Sequence, residues 1–368
     1  MDDSQGLTVS LVTVGDPSTL TGGYLYHQRV ASFAPRHGAR VLFVSVPPWP
    51  FPLGVLAGPA VLREVKRQRP DVLLMDSIAA AFLVPWLSFL RPRVPVVGIA
   101  HQPPGGIEHG WWRTRAQGVL DRRAYRHAAA VLAASALLAD QLAASGVPWA
   151  RLRVVPPGRD VAAVPGQLPG DLRLGRRAAL LCVGNWLLHK GIVDVLEAVR
   201  RLPADLVTLH LVGDTERDPS YAERVRALLA SSDLAGRVVV HGALPLEGVA
   251  AMYAMADVFV LASTRESYGT VYGEAMAAGL PVVGYVAGNL PHLARDEQEG
   301  LLVPPGNIEA LAAALRRLAE NAELRTRLGA AAALRGAGFP TWAQTAERLF
   351  GELRTIVGCA QRGRPATR

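Results

Sequence analysis

The sequence predicts an α/β protein built from two doubly wound, parallel-sheet domains, and three observations predict it. Short β-branched runs alternate with helical stretches along the chain, a Pro/Gly-rich connector interrupts that rhythm once, and 368 residues of 50% hydrophobic content exceed what one core usually holds.

In the first half the runs LTVSLVTV (7–14), ARVLFVSV (39–46), DVLLMD (71–76), VPVVGIA (94–100), AAVLAAS (129–135) and LRVVPPG (152–158) read as strands covered on both faces. Stretches such as 24–36 and 117–127 between them carry helical apolar spacing. The most apolar segment, IAAAFLVPWLSFL (78–90), is interrupted by Pro85 and falls short of the roughly 18–20 residues that span a bilayer, so it reads as a buried helix. The connector VAAVPGQLPGDLRLG (161–175) marks the boundary between a domain 1–165 and a domain 166–345. After it come AALLCVGN (178–185), VTLHLVGD (207–214), RVVVHG (237–242), DVFVLAS (257–263), LPVVGY (280–285) and GLLVPPG (300–306), a second parallel sheet. The final TWAQTAERLFGELRTIV (341–357) has helical spacing through Trp342, Ala346, Leu349, Phe350 and Leu353, which a plain surface helix would also satisfy.

A formal charge of +8 favours anionic partners: nucleotides, phospholipid headgroups or nucleic acid. The basic clusters at 63–70, 91–94 and 361–368 accompany no nucleic-acid motif, so nucleic acid is not expected, while contact with an anionic membrane surface stays open. Cys182 and Cys359 fit neither a zinc spacing nor a disulfide framework and read as reduced. The start MDDSQGLTVSLVTVG lacks a basic leader, which predicts a cytoplasmic protein.

Doubly wound sheets take ligands in the loops at the carboxyl ends of their strands. After the first strand, Gly22 and Gly23 precede a helix and would admit a phosphate or sugar close to the backbone, although a flexible turn explains them equally well. His101 stands where the fourth strand ends, as an acid or base near neutral pH or as a structural histidine. Lys190 opens a helix after the turn CVGNWLLHKG, and it is one of two lysines beside 37 arginines. A cation there opposes the helix dipole unless an anion sits beside it, which argues against a merely solvated helix start.

The segment STRESYGTVYGEAMAAGLPVV (263–283) carries Glu266 in a loop and Glu274 on a helix beginning near Gly269 or Thr270. Glu274 shares a face with the helix start, whose free N–H groups at Gly269, Thr270 and Val271 attract an anion. One anion site flanked by two carboxylates suits a nucleoside diphosphate with hydroxyl-bearing groups on either side; helix shaping alone is the plainer reading.

Taken together these residues resemble the retaining glycosyltransferases of family 4. The resemblance rests on TGGY, HQ after a strand, VVPPGRD (154–160), VGNWLLHKG, LVGD, VVVHGALP, MADVFVLAS, the E-x7-E unit ESYGTVYGE, and EAMAAGLPVV followed by EGLLVPPGN. It implies a GT-B fold, two Rossmann-like domains facing across a cleft, with a helix from 346 returning to the first domain ahead of the tail. It also implies transfer of a sugar, most often a hexose, from a nucleotide-sugar co-substrate to a glycan, lipid-linked or small-molecule acceptor. Glu274 would bind the ribose, Glu266 the transferred sugar, and Lys190 with Gly269, Thr270 and Val271 the diphosphate. His101 would face the anomeric centre, and Gly23 would approach phosphate or acceptor. No metal or other cofactor is implied, since helix dipoles and cations stabilise the leaving diphosphate.

Two positions depart from the family's pattern. Asn185 stands where a second diphosphate-binding arginine is common, and His292 in AGNLPHL (287–293) where glutamate often stands. A nucleotide-sugar epimerase of the same fold, or a non-catalytic nucleotide binder prompted by Asn185, are the alternative readings. On the acceptor side, Trp111 and Trp112 would stack on sugar, lie at a membrane surface or pack in a core.

Overall fold

The computed structural model describes residues 6–17, 22–89, 94–107, 110–160 and 170–363. Two compact units divide the chain, one formed by 1–158 with 340–368 and the other by 159–339. The boundary expected at 165/166 falls within 161–169, and parts of the basic clusters at 91–94 and 361–368 fall within 90–93 and 364–368; these lie outside the described residues.

The first unit is a six-stranded parallel sheet. Its strands are β1 (Leu7–Val14), β2 (Ala39–Val46), β3 (Val72–Asp76), β4 (Val96–Ala100), β5 (Ala130–Ala133) and β6 (Leu152–Val154), in the spatial order β2-β1-β3-β4-β5-β6. Strands β3, β4 and β5 are buried at every residue, which is why they read as continuous apolar runs rather than alternating ones. Side-chain caps fix where helices begin. Asp76, closing β3, accepts from Ile78 N–H to start the helix Ser77–Leu83, and Ser135 accepts from Leu138 N–H to start Ala136–Ala144.

The segment 78–90 is not one buried helix: it is helical only to Leu83, continues as the 3₁₀ segment Val84–Phe89, and leaves Phe89 63% exposed. Pro85 lacks the N–H that an α-helix needs and clashes with the preceding turn, so the helix gives way.

The helix Trp342–Gln361 belongs to this first unit. Thr341 and Gln344 form a reciprocal capping box at its start, and Trp342, Ala346, Leu349, Phe350, Leu353 and Ile356 pack against Leu7, Val9, Tyr26 and Val72. Gly158 makes the approach possible, because a Cβ there would lie 2.3 Å from Trp342 N.

The second unit is also a six-stranded parallel sheet, comprising β7 (Ala178–Val183), β8 (Val207–Val212), β9 (Val238–Gly242), β10 (Val258–Leu261), β11 (Val282–Tyr285) and β12 (Gly300–Val303). Its order, β12-β11-β10-β7-β8-β9, reverses direction between β7 and β10, which pair directly through Val258↔Leu180 and Phe259↔Leu181. That is the topological switch point of a dinucleotide-type fold, where the loops following two adjacent strands diverge and open a crevice at their carboxyl ends. In the first sheet the equivalent reversal lies between β1 and β3. Both units are therefore Rossmann-like and doubly wound, as the sequence predicts. Among the described residues no helix is long and apolar enough to cross a membrane.

Phe350 is fully buried between the last helix and the first sheet. Phe350→Ala is expected to destabilise the first unit by about 3–5 kcal/mol, the usual cost of emptying a buried aromatic site, read as a lowered urea midpoint.

Candidate functional site

At the switch point of the second unit the turn after β7 and the loop after β10 are held together by backbone. Ser263 Oγ donates to the carbonyl oxygen of His189 at 3.0 Å, and Thr264 N–H donates to the same oxygen at 2.9 Å. Gly191 adopts φ +66°, and a Cβ on it would sit 2.1 Å from the Ala262 carbonyl oxygen. Only glycine fits both the left-handed backbone and that approach.

This closure sets Lys190 against Glu266. Their Nζ and Oε2 lie 2.6 Å apart, with side chains 18% and 16% exposed. The helix that follows starts at Ile192, after the 3₁₀ turn Leu188–Lys190, so Lys190 lies just ahead of its first turn. The anion that the sequence calls for beside this cation is, in the structure, the carboxylate of Glu266. The charge has further consequences nearby: burial first, then the Lys190 charge, push His189 down to about 4, so its imidazole is neutral at pH 7.

The helix Thr270–Ala277 begins on Gly269, which takes φ +89°, and no side chain caps it. A Cβ on Gly269 would meet the Tyr272 ring at 2.8 Å and Glu266 Cγ at 3.2 Å, so glycine is what brings the helix start beside Glu266. Thr270, Val271 and Glu274 are partly buried, and Glu274 Oε2 accepts from Tyr253 OH at 3.1 Å. Burial and the Glu274 charge hold the Tyr253 hydroxyl well above its usual range, which keeps it a donor. The structure thus gathers Lys190, Glu266, Gly269, Thr270 and Val271 at one place, with Glu274 one turn further along the same helix.

Asn185 has a different setting. Its Oδ1 accepts from Asp214 N–H at 3.0 Å, stitching the turn after β7 to the turn after β8, and Gly213, at φ +146°, allows that approach because a Cβ on it would sit 2.2 Å from the Gly184 carbonyl oxygen. This bond accounts for an amide at 185. His292 sits on the short helix Leu290–Leu293 and is tied in through its own carbonyl, which accepts from Arg335.

Two residues in this site were not singled out from the sequence. Asn289 N–H donates to the Glu266 carbonyl at 2.9 Å, and Asn289 Nδ2 donates to the Tyr268 carbonyl at 2.8 Å. Gly288 lies so near that a Cβ would be 2.6 Å from Glu266 N. The departure in AGNLPHL is His292, whereas the clamp on the Glu266 loop is made by its neighbours Gly288 and Asn289.

In the first unit, His101 follows β4 and packs edge-on against Tyr26 and His27, with ring centroids 4.8 and 5.0 Å away. A Cβ on Gly23 would touch the His101 ring at 3.5 Å, so the glycine and the histidine are neighbours. His27 Nε2 lies 3.0 Å from Asp76 Oδ2, and Thr13 Oγ1 donates to the same oxygen at 2.7 Å. Burial, then the His27 charge, lower the His101 imidazole to about 4, the Asp76 charge opposing them. Asp76, despite burial that raises it, is held well below the carboxylate range by His27. His101 Nε2 is buried and has no hydrogen-bond partner among the described residues.

His27, Asp76 and His101 also form a group whose ligand atoms lie within 4.8 Å of one another. Asp76 there is already engaged by Thr13, Ser77, Ile78 N–H and His27, the pattern of a carboxylate that organises a protein network.

Two family models match the chain: "Glycosyl transferase 4-like domain" over 3–158 and "Glycosyl transferases group 1" over 171–335. The chain therefore belongs to the group 1 glycosyl transferases, with a GT-B fold. Sulfoquinovosyl transferase SQD2 of Arabidopsis thaliana is 27% identical over 321 residues, 80% of this chain and 60% of that protein. The chain thus spans less than two thirds of that relative's length. Among solved structures, sucrose-phosphate synthase of Thermosynechococcus elongatus is similar at TM-score 0.81 and 21% identity, over 96% of this chain and 100% of that one. HepE of Anabaena, solved in complex with UDP and glucose, is similar at TM-score 0.78 and 20% identity, over 95% and 100%. At these identities the structural likeness carries the fold.

A histidine whose pKa is lower folded than unfolded makes stability fall as pH drops, here from about 6.5 toward about 4 as the unfolded chain takes up the proton first. His101→Gln is expected to flatten the fall in unfolding free energy across that window by up to about 1.4 kcal/mol per pH unit, measured by urea titrations at several pH values.

Proposed function

We propose that the chain is a retaining glycosyltransferase that moves a sugar, a hexose in the first instance, from a nucleoside-diphosphate sugar to an acceptor hydroxyl. The observation that carries this reading is the Lys190–Glu266 pair set against the uncapped start of the Thr270–Ala277 helix at the β7/β10 switch point. A cation and a helix N-terminus side by side form an anion site, and the two carboxylates beside it accept hydroxyl protons. Family membership supports the same reading, as does the nucleotide held by the Anabaena relative of the same fold.

In this reading the diphosphate lies on the N–H groups of Gly269, Thr270 and Val271 and on Lys190. Glu274 accepts from the ribose hydroxyls, its other contact to Tyr253 keeping it in place. Glu266 accepts from hydroxyls of the transferred sugar while sharing Lys190 with the phosphate. Asn185 acts beside the site by fixing the turn after β7. As the bond from the anomeric carbon to the phosphate oxygen breaks, negative charge grows on the leaving diphosphate, and the ammonium and helix start are already oriented toward it. The acceptor oxygen bonds to the anomeric carbon on the same face, and its proton passes to a leaving phosphate oxygen.

In the first unit, His101 presents a neutral imidazole, with Gly23 packed close against its ring. The acceptor is a hydroxyl of a glycan, a lipid-linked saccharide or a small molecule. The enzyme works in the cytoplasm, at the inner membrane face where its acceptor is lipid-linked.

Hydrogen bonds to a charged group contribute about 1.5–3 kcal/mol, so Glu274→Ala is expected to weaken donor binding roughly 10- to 100-fold by calorimetry, after a panel of nucleotide sugars has identified the donor. Unchanged affinity would remove Glu274 from the ribose.

A further inference from the structure

The carboxyl end of β3 gathers more unsatisfied imidazole nitrogen than a structural network needs. His27 is fully buried, and His27 Nδ1, His27 Nε2 and His101 Nε2 are all buried without a hydrogen-bond partner among the described residues. His27 Nε2 stands 3.0 Å from Asp76 Oδ2, close enough for an ion pair but outside the angle of a hydrogen bond. Buried polar atoms are nearly always paired, so three of them on two touching rings call for a ligand of their own.

Three separate stretches meet here. Asp76 closes β3, His101 follows β4, and His27 comes from the helix Gly22–Phe33 that follows β1. One ligand atom from each of the three falls within 4.8 Å of the others. Around a zinc ion, bonds of about 2.0 Å at tetrahedral angles set ligand atoms about 3.3 Å apart, so the group has to close by roughly 1.5 Å. His101 can supply that movement: it is the half-buried member, its Nε2 is tied to nothing, and the neighbour against its ring is Gly23, with no side chain in the way. Asp76 is already aimed. Thr13 Oγ1 donates to its Oδ2 at 2.7 Å, and Ser77 Oγ and Ile78 N–H donate to its Oδ1, the outer contacts that orient a metal-binding carboxylate.

We propose that His27, Asp76 and His101 bind one divalent transition-metal ion of the zinc type. Two imidazoles and one carboxylate are the borderline donors that Zn2+ and Co2+ take, whereas Mg2+ and Ca2+ require more oxygen. The ion takes the place of the proton on His27 Nε2, which leaves to solvent, and the Asp76 carboxylate then neutralises part of the metal charge. Three protein ligands leave the remaining position to water. Sugar transfer as proposed above uses no metal, so the ion acts as an inhibitor that fixes His101 against Asp76. That consequence rests on the proposed function, whereas the binding itself does not.

The test is equilibrium dialysis of the full chain, free of any affinity tag, against Zn2+, with a parallel Co2+ titration followed by visible absorption. One ion per chain is expected with a Kd at or below about 10 μM, together with Co2+ bands of a four- or five-coordinate site and no competition from Mg2+. His27→Gln and His101→Gln are each expected to weaken binding about tenfold or more, and Thr13→Val, which removes a donor to Asp76, up to about tenfold. His101→Gln loses no side-chain hydrogen bond of the described residues, and its urea midpoint reports that the chain is folded. His241→Gln controls for the other close histidine pair, His210 Nδ1 and His241 Nε2 at 2.9 Å in the second unit, and is expected to keep parental affinity. A chain that binds no Zn2+ below about 100 μM overturns the proposal. So does a His101→Gln variant that binds like the parent, or a loss in His241→Gln equal to that in His101→Gln. Zn2+ bound through these residues with transfer at its full rate would support the site and overturn the inhibition.

Discussion

The site depends on one close approach, that of Gly191 to the Ala262 carbonyl at the point where the strand order of the second sheet reverses. With no Cβ in the way, the turn after β7 folds onto the end of β10, and the His189 carbonyl gains two donors from Ser263 and Thr264. Lys190 then has one place to go, against Glu266, and the same loop delivers Gly269 and the start of the next helix. The pair is mostly withdrawn from water, and a partly buried charge left without its partner costs several kcal/mol, so neither residue is a neutral replacement for the other's loss. Holding both charges in position before a ligand arrives is what makes such a site effective on a developing diphosphate charge.

The first unit repeats the arrangement with different chemistry. Its reversal between β1 and β3 brings Thr13, at the end of β1, to Asp76, which closes β3. Asp76 in turn holds His27, and His27 stands against His101 at the end of β4. The same carboxylate starts the helix Ser77–Leu83, so one residue ends a strand, caps a helix and orders a pair of histidines. The neutrality of His101 follows from burial and from the His27 charge, against the opposing charge of Asp76, rather than from its position in the sequence.

The fold was legible because fully covered parallel strands leave a signal that needs no partner to be read: LTVSLVTV and VTLHLVGD announce themselves by composition. Lys190, Glu266 and Glu274 were legible because turn chemistry and helix dipoles are local, and Lys190 stood out as a lysine among arginines. What could not be read were meetings across sequence. Asn289 clamps Glu266 from 23 positions away, and His27 reaches Asp76 across 49, and neither spacing carries a local pattern. The ion pair between Lys190 and Glu266 joins two residues that were each visible alone, 76 positions apart. Pro85 was visible as a breaker, but that the chain beyond it surfaces at Phe89 is a packing result.

We propose that a diphosphate is gripped at the β7/β10 reversal by Lys190. The chain holds one other lysine, Lys66, an exposed residue of the first unit, and it serves as the control. Calorimetric titration with UDP, GDP and ADP, carried out on Lys190→Met and Lys66→Met, isolates the ammonium at the site from the general positive charge. Lys190→Met is expected to lose about tenfold or more in affinity for the preferred diphosphate, and Lys66→Met to keep parental affinity. Equal affinity in both variants would remove Lys190 from the diphosphate.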